Sequence, residues 1–441
     1  MSIRFHRSFA LSALALAASC AHADYTLDIY APPANAALMG ISANGSSGVT
    51  DFGTTGATGT TGTAYLPSPL GSFANIGGNA VSAGFSGGPG ISANGALINS
   101  NATAANGFSQ AATYNTATGT WTTLGSLGYN STSAVGSTGL KQQSYSTGIS
   151  SDGSTVVGGA YFNTTGTTGS ASHPVVFRNG AVIDLNAAGG TQSGRALAVS
   201  ADGSVVAGYA SNSAAGTIWT WNGSSYVASA PSIVKPGTST VVAIQANKLS
   251  DNGVWATGGS VNGLATNYSP PFTFPTTTYS PATLWNTQTN TALLIPYDHV
   301  INTTVGGADT IVNMKASVSG VSNNGTVIGS FDQCLGCSTG LFNQDTWIYS
   351  AQTGVTMSFD SYLASVGVAL APTQHVWELY SMSADGSAIS GIYWDTATST
   401  SSAFVLRNIS AVPEPGSWMM FGLALPLLVA RRMQQQRRRE A

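Results

Sequence analysis

A short motif recurs along this chain: an apolar residue, Ser, any residue, Asp or Asn, then Gly, followed by a short apolar run. The repeated Ser residues are Ser42, Ser92, Ser150, Ser200, Ser250, Ser322 and Ser383. Successive copies are 50 to 72 residues apart. This periodicity is typical of solenoids and propellers, in which each repeat buries its apolar face against its neighbours.

Each copy of the motif predicts a β-hairpin. Asp-Gly or Asn-Gly between apolar runs favours a type I′ turn, with positive φ at both central residues. The preceding Ser can hydrogen-bond to the turn backbone. In five copies the strand after the turn ends in Gly, which predicts close approach of a neighbouring backbone. These are Gly158, Gly208, Gly258, Gly329 and Gly391. The copy at Ser42 is followed by a Gly-rich, poor strand.

Most copies are followed by a second hairpin, as in HPVVFRNGAVIDLN from His173 and TIWTWNGSSYV from Thr217. Two hairpins give four strands per unit, the size of a propeller blade. We therefore predict one all-β propeller of six or seven four-stranded blades over residues 24–411. A β-solenoid or tandem β-sandwiches are the alternatives. Strand 402–408 and the strand from Tyr25 both lack a partner, so pairing of these end segments is expected to close the ring.

The repeats resemble the HAF repeat family of bacterial extracellular proteins. The likeness lies in three segments, His173–Phe177, Ala403-Phe404 and Leu124–Gly128, and in the recurring Ser-x-Asp-Gly turns. His occurs only once in this setting, and Pro174 stands where the family has Ala. The resemblance implies an extracellular, β-propeller-like domain without established catalytic residues.

The first 23 residues have the features of a signal peptide. Arg4, His6 and Arg7 precede an apolar stretch from Phe9 to Ala18. A small-x-small site follows, formed by Ala21 and Ala23, and predicts cleavage before Asp24 by signal peptidase after passage through the Sec translocon. A lipidated Cys20 is the alternative.

Residues 412–441 form a three-part tail. The triplet Pro413, Glu414, Pro415 is followed by an apolar run, residues 418–430, and by five arginines: Arg431, Arg432, Arg437, Arg438 and Arg439. This tail resembles the PEP-CTERM sorting signal of Gram-negative bacteria, which implies processing by an exosortase-type membrane protease. Arginines keep such an end on the cytoplasmic side. Thirteen residues span about 20 Å, against roughly 30 Å of hydrocarbon, so we predict a transient anchor. A buried core helix is the alternative.

Between these segments the body is acidic. It carries seven Lys and Arg against fifteen Asp and Glu, a net charge of −8. Nucleic-acid affinity depends largely on cations that neutralise phosphates, so nucleic acid is not an expected partner. Charged residues make up only 7% of the chain, so surface polarity must come from hydroxyl and amide side chains.

The body holds two cysteines, Cys334 and Cys337, in a CxxC arrangement. Zinc would need about four ligands, and no second pair exists. A redox motif normally opens a helix, whereas this one follows a strand-like segment. In an oxidising compartment we predict a local disulfide.

No catalytic or metal-binding constellation stands out, and no cofactor is expected. The body has one Glu, Glu378, and a two-carboxylate glycosidase would have to draw on scattered aspartates. Those aspartates are Asp184, Asp298, Asp309, Asp332, Asp360 and Asp395. The three body histidines, His173, His299 and His375, fall in different units. The repeated Asp152, Asp202 and Asp385 are interpreted as turn residues rather than calcium ligands.

Two aromatic clusters could stack on sugar rings: Trp219 with Trp221, and Trp377 with Tyr380. Packing in blade cores is the simpler interpretation. Together the patterns predict a non-catalytic protein of the cell surface or of a biofilm exopolysaccharide matrix, with polysaccharide as a partner. A secreted carbohydrate-active enzyme is the alternative function.

Overall fold

The computed structural model describes thirteen stretches of the chain. These are residues 24–30, 40–52, 62–67, 71–78, 88–129, 142–162, 171–186, 193–211, 215–234, 239–259, 278–295, 313–334 and 342–409. Two compact units divide the chain: Leu27–Ser365 with Ala369–Arg407, and Met1–Thr26 with Val366–Val368 and Asn408–Ala441. The description below concerns the first unit.

The first unit is an all-β propeller of seven blades, each with four antiparallel strands in its core. Blade 1 holds β2 (Gly40–Ile41), β3 (Gly48–Phe52), β4 (Gly62–Leu66) and β5 (Ala74–Gly77). Blade 2 holds β6 (Gly90–Ile91), β7 (Leu97–Thr103), β8 (Ser109–Asn115) and β9 (Thr120–Thr123). Blade 3 holds β10 (Ser144–Ile149), β11 (Thr155–Phe162), β12 (Ala171–Arg178) and β13 (Ala181–Asp184). The Gly-rich first copy of the motif therefore forms a complete blade.

Blade 4 holds β14 (Arg195–Val199), β15 (Val205–Tyr209), β16 (Thr217–Trp221) and β17 (Tyr226–Ser229). A separate hairpin follows, with β18 (Ser232–Val234) and β19 (Val241–Ala243). Blade 5 holds β20 (Lys248–Leu249), β21 (Trp255–Gly259), β23 (Ala282–Asn286) and β24 (Thr291–Leu294). Blade 6 holds β25 (Asn313–Val321), β26 (Thr326–Cys334), β27 (Phe342–Ser350) and β28 (Val355–Ser358), with β22 (Thr278–Ser280) added in parallel to β25.

Blade 7 closes the ring. Its sheet order is β1 (Asp24–Tyr30), β31 (Thr400–Ile409), β30 (Ala388–Asp395) and β29 (Gln374–Met382). The segment from the start of the chain thus supplies the partner that the last strand lacks, as predicted. A closed ring leaves fewer exposed sheet edges.

The Ser-x-Asx-Gly turn joins the innermost strand of each blade to the second strand, but it is not a type I′ turn. In the first copy Gly45 has φ +64°, whereas Asn44 does not have a positive φ. The Gly45 N–H donates to the Ser42 carbonyl at 2.9 Å. This is a four-residue loop built around a type I turn. A turn with positive φ at both central residues does occur, at Asn179-Gly180 in the outer hairpin of blade 3.

The predicted close approach at the strand-ending glycines is confirmed. A Cβ on Gly158 would lie 1.9 Å from the Tyr145 carbonyl oxygen, and one on Gly329 would lie 2.1 Å from that of Ser317. Gly208, Gly258 and Gly391 face inner-strand carbonyls in the same way. Only Gly lets the second strand pass this close to the inner strand.

Apolar side chains fill the spaces between neighbouring blades. Trp219 of blade 4 packs with Val157 and Val176 of blade 3, and Trp347 of blade 6 packs with Leu284 of blade 5. Both tryptophans are 1% exposed. The interpretation of Trp219 as a core residue is therefore confirmed.

Helix is rare in the described residues. One short helix, α1 (Phe359–Ser365), connects blade 6 to blade 7. Its Phe359 and Leu363 are buried, so the helix is pinned by its apolar face. Within the described stretches, no helix has both the length and the apolar character needed to cross a membrane.

Candidate functional site

The seven repeated serines hold the turns at one end of the central channel. All seven are buried, with exposures of 4% or less. In blade 4 the Ser200 hydroxyl donates to Asp202 at 2.8 Å and accepts the Val205 N–H at 2.9 Å. The other six serines make the same two hydrogen bonds. Each turn is therefore held in its conformation by a serine and an Asx side chain of its own.

The residue between Ser and Asx, which we call the spacer, lines the channel cavity in five of the seven blades. The spacers are Ala43, Ala93, Ser151, Ala201, Asp251, Asn323 and Ala384. Backbone hydrogen bonds of 2.7–2.9 Å join one spacer to the next at four junctions: Ala43 to Ala93, Ala93 to Ser151, Ala201 to Asp251 and Asn323 to Ala384. At a fifth junction the Asn252 N–H donates to the Asn323 side chain at 2.8 Å. These residues form the spacer ring.

The spacer ring is narrow. Hydrogen-bonded backbones lie about 4.8 Å apart, and four of the seven junctions are bonded in this way, which keeps those neighbouring turns close together. The Ser151 hydroxyl of blade 3 also hydrogen-bonds to the Asp251 carboxylate of blade 5, past the turn of blade 4. Side chains from two blades therefore meet across the channel and narrow it at this end.

A second ring of small residues lies just above the spacer ring, two residues before each motif Ser. Six of its seven members are Gly, Ala or Ser: Gly40, Gly90, Gly148, Ala198, Gly320 and Ser381. The seventh is Lys248 of blade 5. Blade 5 thus departs from the repeat twice, with Lys248 in one ring and Asp251 in the other.

These rings form the base of a channel cavity of about 660 Å³. Its charged lining side chains, among the described residues, are Lys248, Asp251 and Glu378. Gln245, Asn247, Ser317 and Tyr380 are among the polar groups beside them. Small-molecule sites typically measure about 300–1,000 Å³ and carry a few convergent polar groups. The cavity has both properties.

Burial changes the ionisation of these groups. Burial raises the pKa of Asp251, and the hydrogen bond from Ser151 acts in the opposite direction. Burial also lowers the pKa of Lys248, and no neighbouring acid compensates. Glu378 accepts a short hydrogen bond from the Tyr380 hydroxyl. Burial raises the pKa of Tyr380, and Glu378 raises it further. Both acids therefore have a protein donor.

A tryptophan pair lies towards the opposite mouth, on blade 7. Trp377 is five residues before the ring-proximal end of β29, which at about 3.3 Å per residue places its backbone roughly 15 Å from that end. A β-bulge between Val376 and Glu378 leaves Trp377 outside the regular pairing. Such bulges redirect side chains. Trp377 is 41% exposed, and its ring centroid lies 6.5 Å from that of Trp394. The interpretation of Trp377 as a core residue is therefore wrong.

Polar groups surround this pair. His375 Nδ1 lies 3.4 Å from Asp360 Oδ2, and both side chains are about half exposed. Asp360 also accepts the Val376 N–H at 3.2 Å, which ties the start of α1 to β29. Gln374 donates to Asp395 at 3.3 Å. We call Trp377, Trp394, His375 and Asp360 the rim cluster.

The other candidate residues do not converge. His173 is 5% exposed, with Nδ1 2.8 Å from Asp184 Oδ2, so it is a satisfied buried histidine on β12. Asp152, Asp202 and Asp385 are turn residues, as predicted. Trp221 packs against Tyr226 with the rings tilted by 59° and their centroids 5.1 Å apart. Within the described stretches, no group of three or more His, Cys, Asp or Glu is placed to hold a metal ion.

Several predicted residues lie outside the described ones. They are Ala21, Ala23, Cys337, His299, Asp298, Asp309, the Pro413-Glu414-Pro415 triplet and the five tail arginines. Cys334 is the last residue of β26. The disulfide therefore stays a prediction. Sequence reasoning missed Lys248 and Asp251, although aligning the seven motif copies would have shown both as exceptions.

Comparisons with known proteins assign the chain to no family. No family model matches the chain, and no curated protein matches it. The β-propeller domain of the Trilobed protease from Pyrococcus furiosus aligns with 9% identity and a TM-score of 0.46, over 84% of this chain and 95% of that domain. A puromycin-hydrolysing peptidase from Mycobacterium tuberculosis aligns with 13% identity and a TM-score of 0.47, over 87% of this chain and 56% of that one.

An oligogalacturonate lyase in complex with manganese aligns with 11% identity and a TM-score of 0.44, over 87% of this chain and 96% of that one. Similarities this low assign no activity to the chain. Its own blades define it as a seven-bladed β-propeller with a channel narrowed at one end by the spacer ring.

Proposed function

We propose that this protein is an exported, non-catalytic component of the cell surface or biofilm matrix, and that its propeller binds hydrated polysaccharide. The observation that carries the proposal is the rim cluster. It exposes a tryptophan beside a second tryptophan, with carboxylate, imidazole and amide groups within reach.

An exposed indole of this kind suits a sugar. The face of a pyranose ring presents C–H groups that pack on an aromatic face, and its edge presents hydroxyl groups that need hydrogen-bond partners. Trp377 and Trp394 offer the faces, while His375 and Asp360 offer polar groups at the edge. The body has few charges, which favours hydrogen bonding and stacking over ion pairing as its mode of contact.

The route to the matrix is inferred from the two ends of the sequence. Cleavage after Ala23 would leave β1 intact, because that strand begins at Asp24. The predicted sorting triplet follows β31, which ends at Ile409. Exosortase processing near Pro413-Glu414-Pro415 would therefore leave the described strands of blade 7 whole. The proposed location is the outer surface or extracellular matrix of a Gram-negative bacterium.

Affinity electrophoresis tests the binding. The purified protein is run in native gels that contain xanthan, alginate or dextran, and retardation is compared with a gel without polysaccharide. We expect retardation by at least one polymer, and Trp377→Ala should reduce it about tenfold or more. The matched control is Trp221→Ala, which removes a partly buried indole that packs against Tyr226 on blade 4. Retardation that survives in Trp377→Ala, or is absent from wild type in every gel, contradicts the proposed site.

Sorting is tested separately. Replacing Pro413, Glu414 and Pro415 by Ala should leave unprocessed protein in the inner membrane, as followed by fractionation and immunoblotting. Processed protein outside the cell would rule out the sorting proposal without affecting the binding proposal.

A carbohydrate-active enzyme is the second candidate, because Asp251 and Glu378 line one cavity. Release of new reducing ends from matrix polysaccharide, lost in Glu378→Gln, would establish it. No release by a protein that binds the same polysaccharide supports the non-catalytic function.

A further inference from the structure

The departure of blade 5 from the repeat places one cation in the channel. At the position two before the motif Ser, every other blade has Gly, Ala or Ser, so the wall there is formed largely by backbone. Lys248 extends a four-carbon chain and an ammonium from this level, and it lines the cavity. Packing between the blades does not require a long side chain here, because the other six blades have Gly, Ala or Ser at this position.

Among the described residues, the Lys248 ammonium makes no ion pair. Asp251, by contrast, accepts from Ser151, and Glu378 accepts from Tyr380. Removing an ammonium from water is unfavourable unless a partner offsets the loss of hydration. A bound anion would supply that partner, and burial has already lowered the pKa of Lys248 for lack of one.

The other groups around the cavity are suited to hydroxyls. Ser317 Oγ lies 2.7 Å from Ser330 Oγ, and Asn247 donates to Gln245 at 3.2 Å. Each of these groups keeps spare donors or acceptors. A ligand that fits them carries one negative charge and several hydroxyls, as a uronic acid does.

The spacer ring limits how such a ligand can bind. Because the Ser151–Asp251 hydrogen bond crosses the channel at this end, we expect a polysaccharide not to thread through the propeller. A chain end or a short side branch would enter from the opposite mouth, where the rim cluster lies.

We propose that the channel binds the terminal, carboxylate-bearing sugar of an acidic polysaccharide, with the Lys248 ammonium paired to the carboxylate. This inference rests on the proposed function, because it takes polysaccharide as the partner. The rim cluster would contact sugars further along the same chain.

Calorimetric titration of the full-length chain with two matched sugars tests the inference. Methyl glucuronide and methyl glucoside differ only in carrying a carboxylate or a hydroxymethyl group. We expect the glucuronide to bind at least tenfold more tightly. Lys248→Met should abolish this preference, and Lys248→Arg should retain most of it. Arg178→Met, at an exposed site on blade 3, should leave it unchanged.

A second titration tests end recognition. With glucuronate oligomers of increasing length, the stoichiometry should stay at one protein per chain. Equal binding of both methyl glycosides, or a preference that persists in folded Lys248→Met, overturns the inference. Acetate binding as tightly as the glucuronide would reduce the site to a general anion site and would also overturn it. If the channel fails these tests while gel retardation still depends on Trp377, the proposed function survives without the channel site.

Discussion

Arg407 and Asp28, 379 positions apart in sequence, are joined by two hydrogen bonds from the guanidinium to one carboxylate oxygen. The aliphatic part of Arg407 also lies against Gly45 in the turn of blade 1, where a Cβ would be 2.9 Å from its Cγ. One side chain on β31 therefore contacts both β1 and the first blade, at the point where the ring closes.

We expect this pair to contribute about 1 kcal/mol to the free energy of unfolding, because both side chains are about two-thirds buried and the bonds are charge-assisted. The measurement is a double-mutant cycle with Arg407→Met, Asp28→Asn and the combined variant. If the two single changes add without coupling, the pair does not stabilise the closure. The Arg407→Met change keeps a Cγ against Gly45, so it removes the ion pair while leaving most of this packing in place.

Removing a motif serine should be costly, whereas removing a hydroxyl from the same turn should not. In Ser200→Ala the buried Val205 N–H loses its acceptor and Asp202 loses a donor. Leaving a buried donor unsatisfied costs about 1–3 kcal/mol. In Ser204→Ala the lost hydroxyl donates to Asp202 at an exposed site, where water can replace it, and the change should be within about 0.5 kcal/mol. Thermal or chemical denaturation of both variants gives the comparison, and equal losses would contradict the role given to Ser200.

Ser399 is a site where a substitution should stabilise the protein. It has φ +53° in the turn between β30 and β31 of blade 7, whereas Gly119 and Gly354 occupy the same place in similar turns of blades 2 and 6, with φ +68° and +69°. Ser399→Gly relieves a left-handed conformation and should gain about 0.5–1 kcal/mol. Thr398→Gly, one residue earlier and without a positive φ, should lose a similar amount. A lower melting temperature for Ser399→Gly would contradict the strain.

The three aspartate turns should weaken together in acid. At Asp202, burial acts to raise the pKa, but hydrogen bonds from the Ser204 N–H and hydroxyl and from Ser200 outweigh it, so the pKa lies below its usual value. Asp152 and Asp385 are shifted in the same direction by the same kinds of contact. A depressed carboxyl pKa contributes stability above the unfolded-state value of 3.8, and this is lost as the pH falls through the folded-state value.

The chain supplies its own replacement for these aspartates, since four motif copies carry Asn in the same place. A triple Asp→Asn variant at positions 152, 202 and 385 should therefore fold, and its melting temperature should fall less between pH 6 and pH 3 than that of wild type. The converse variant, Asn94→Asp, should steepen the fall. Parallel curves for wild type and the triple variant would show that these carboxylates do not titrate with unfolding.

Local chemistry explains which features the sequence could predict. Positive φ and close backbone approach both favour Gly. The sequence therefore predicted the positions of the turns and the places where the second strand lies close to the inner strand, as at Gly158. The type I′ assignment was wrong because Asn-Gly alone does not determine the turn; the buried Ser three residues before the Gly holds the Asx in another conformation. The unpaired last strand correctly predicted closure by the first.

The channel was harder to predict because its residues are defined by the ring and not by local pattern. The spacer residue type varies from one motif copy to the next. This is possible because its backbone makes the bonds between neighbouring turns, while its side chain is left to line the channel. Trp377 looked like a core residue because only the β-bulge beside it turns it outwards. Lys248 belongs to no recognisable sequence motif. It stands out only when the seven blades are compared, because the other six have a small residue at the same position.

In the spacer ring, backbone groups hold neighbouring turns together, whereas side chains determine which ligand the channel accepts. Because neighbouring turns are joined through N–H and C=O groups, a change of spacer side chain alters the channel without breaking the bonds that hold the blades together. The small-residue level above it behaves similarly, since glycine and alanine leave room for a longer side chain from any blade. A single substitution at a spacer or at the small-residue level can therefore change which ligand the channel prefers. Each of the seven blades offers these positions, and the fold does not have to change.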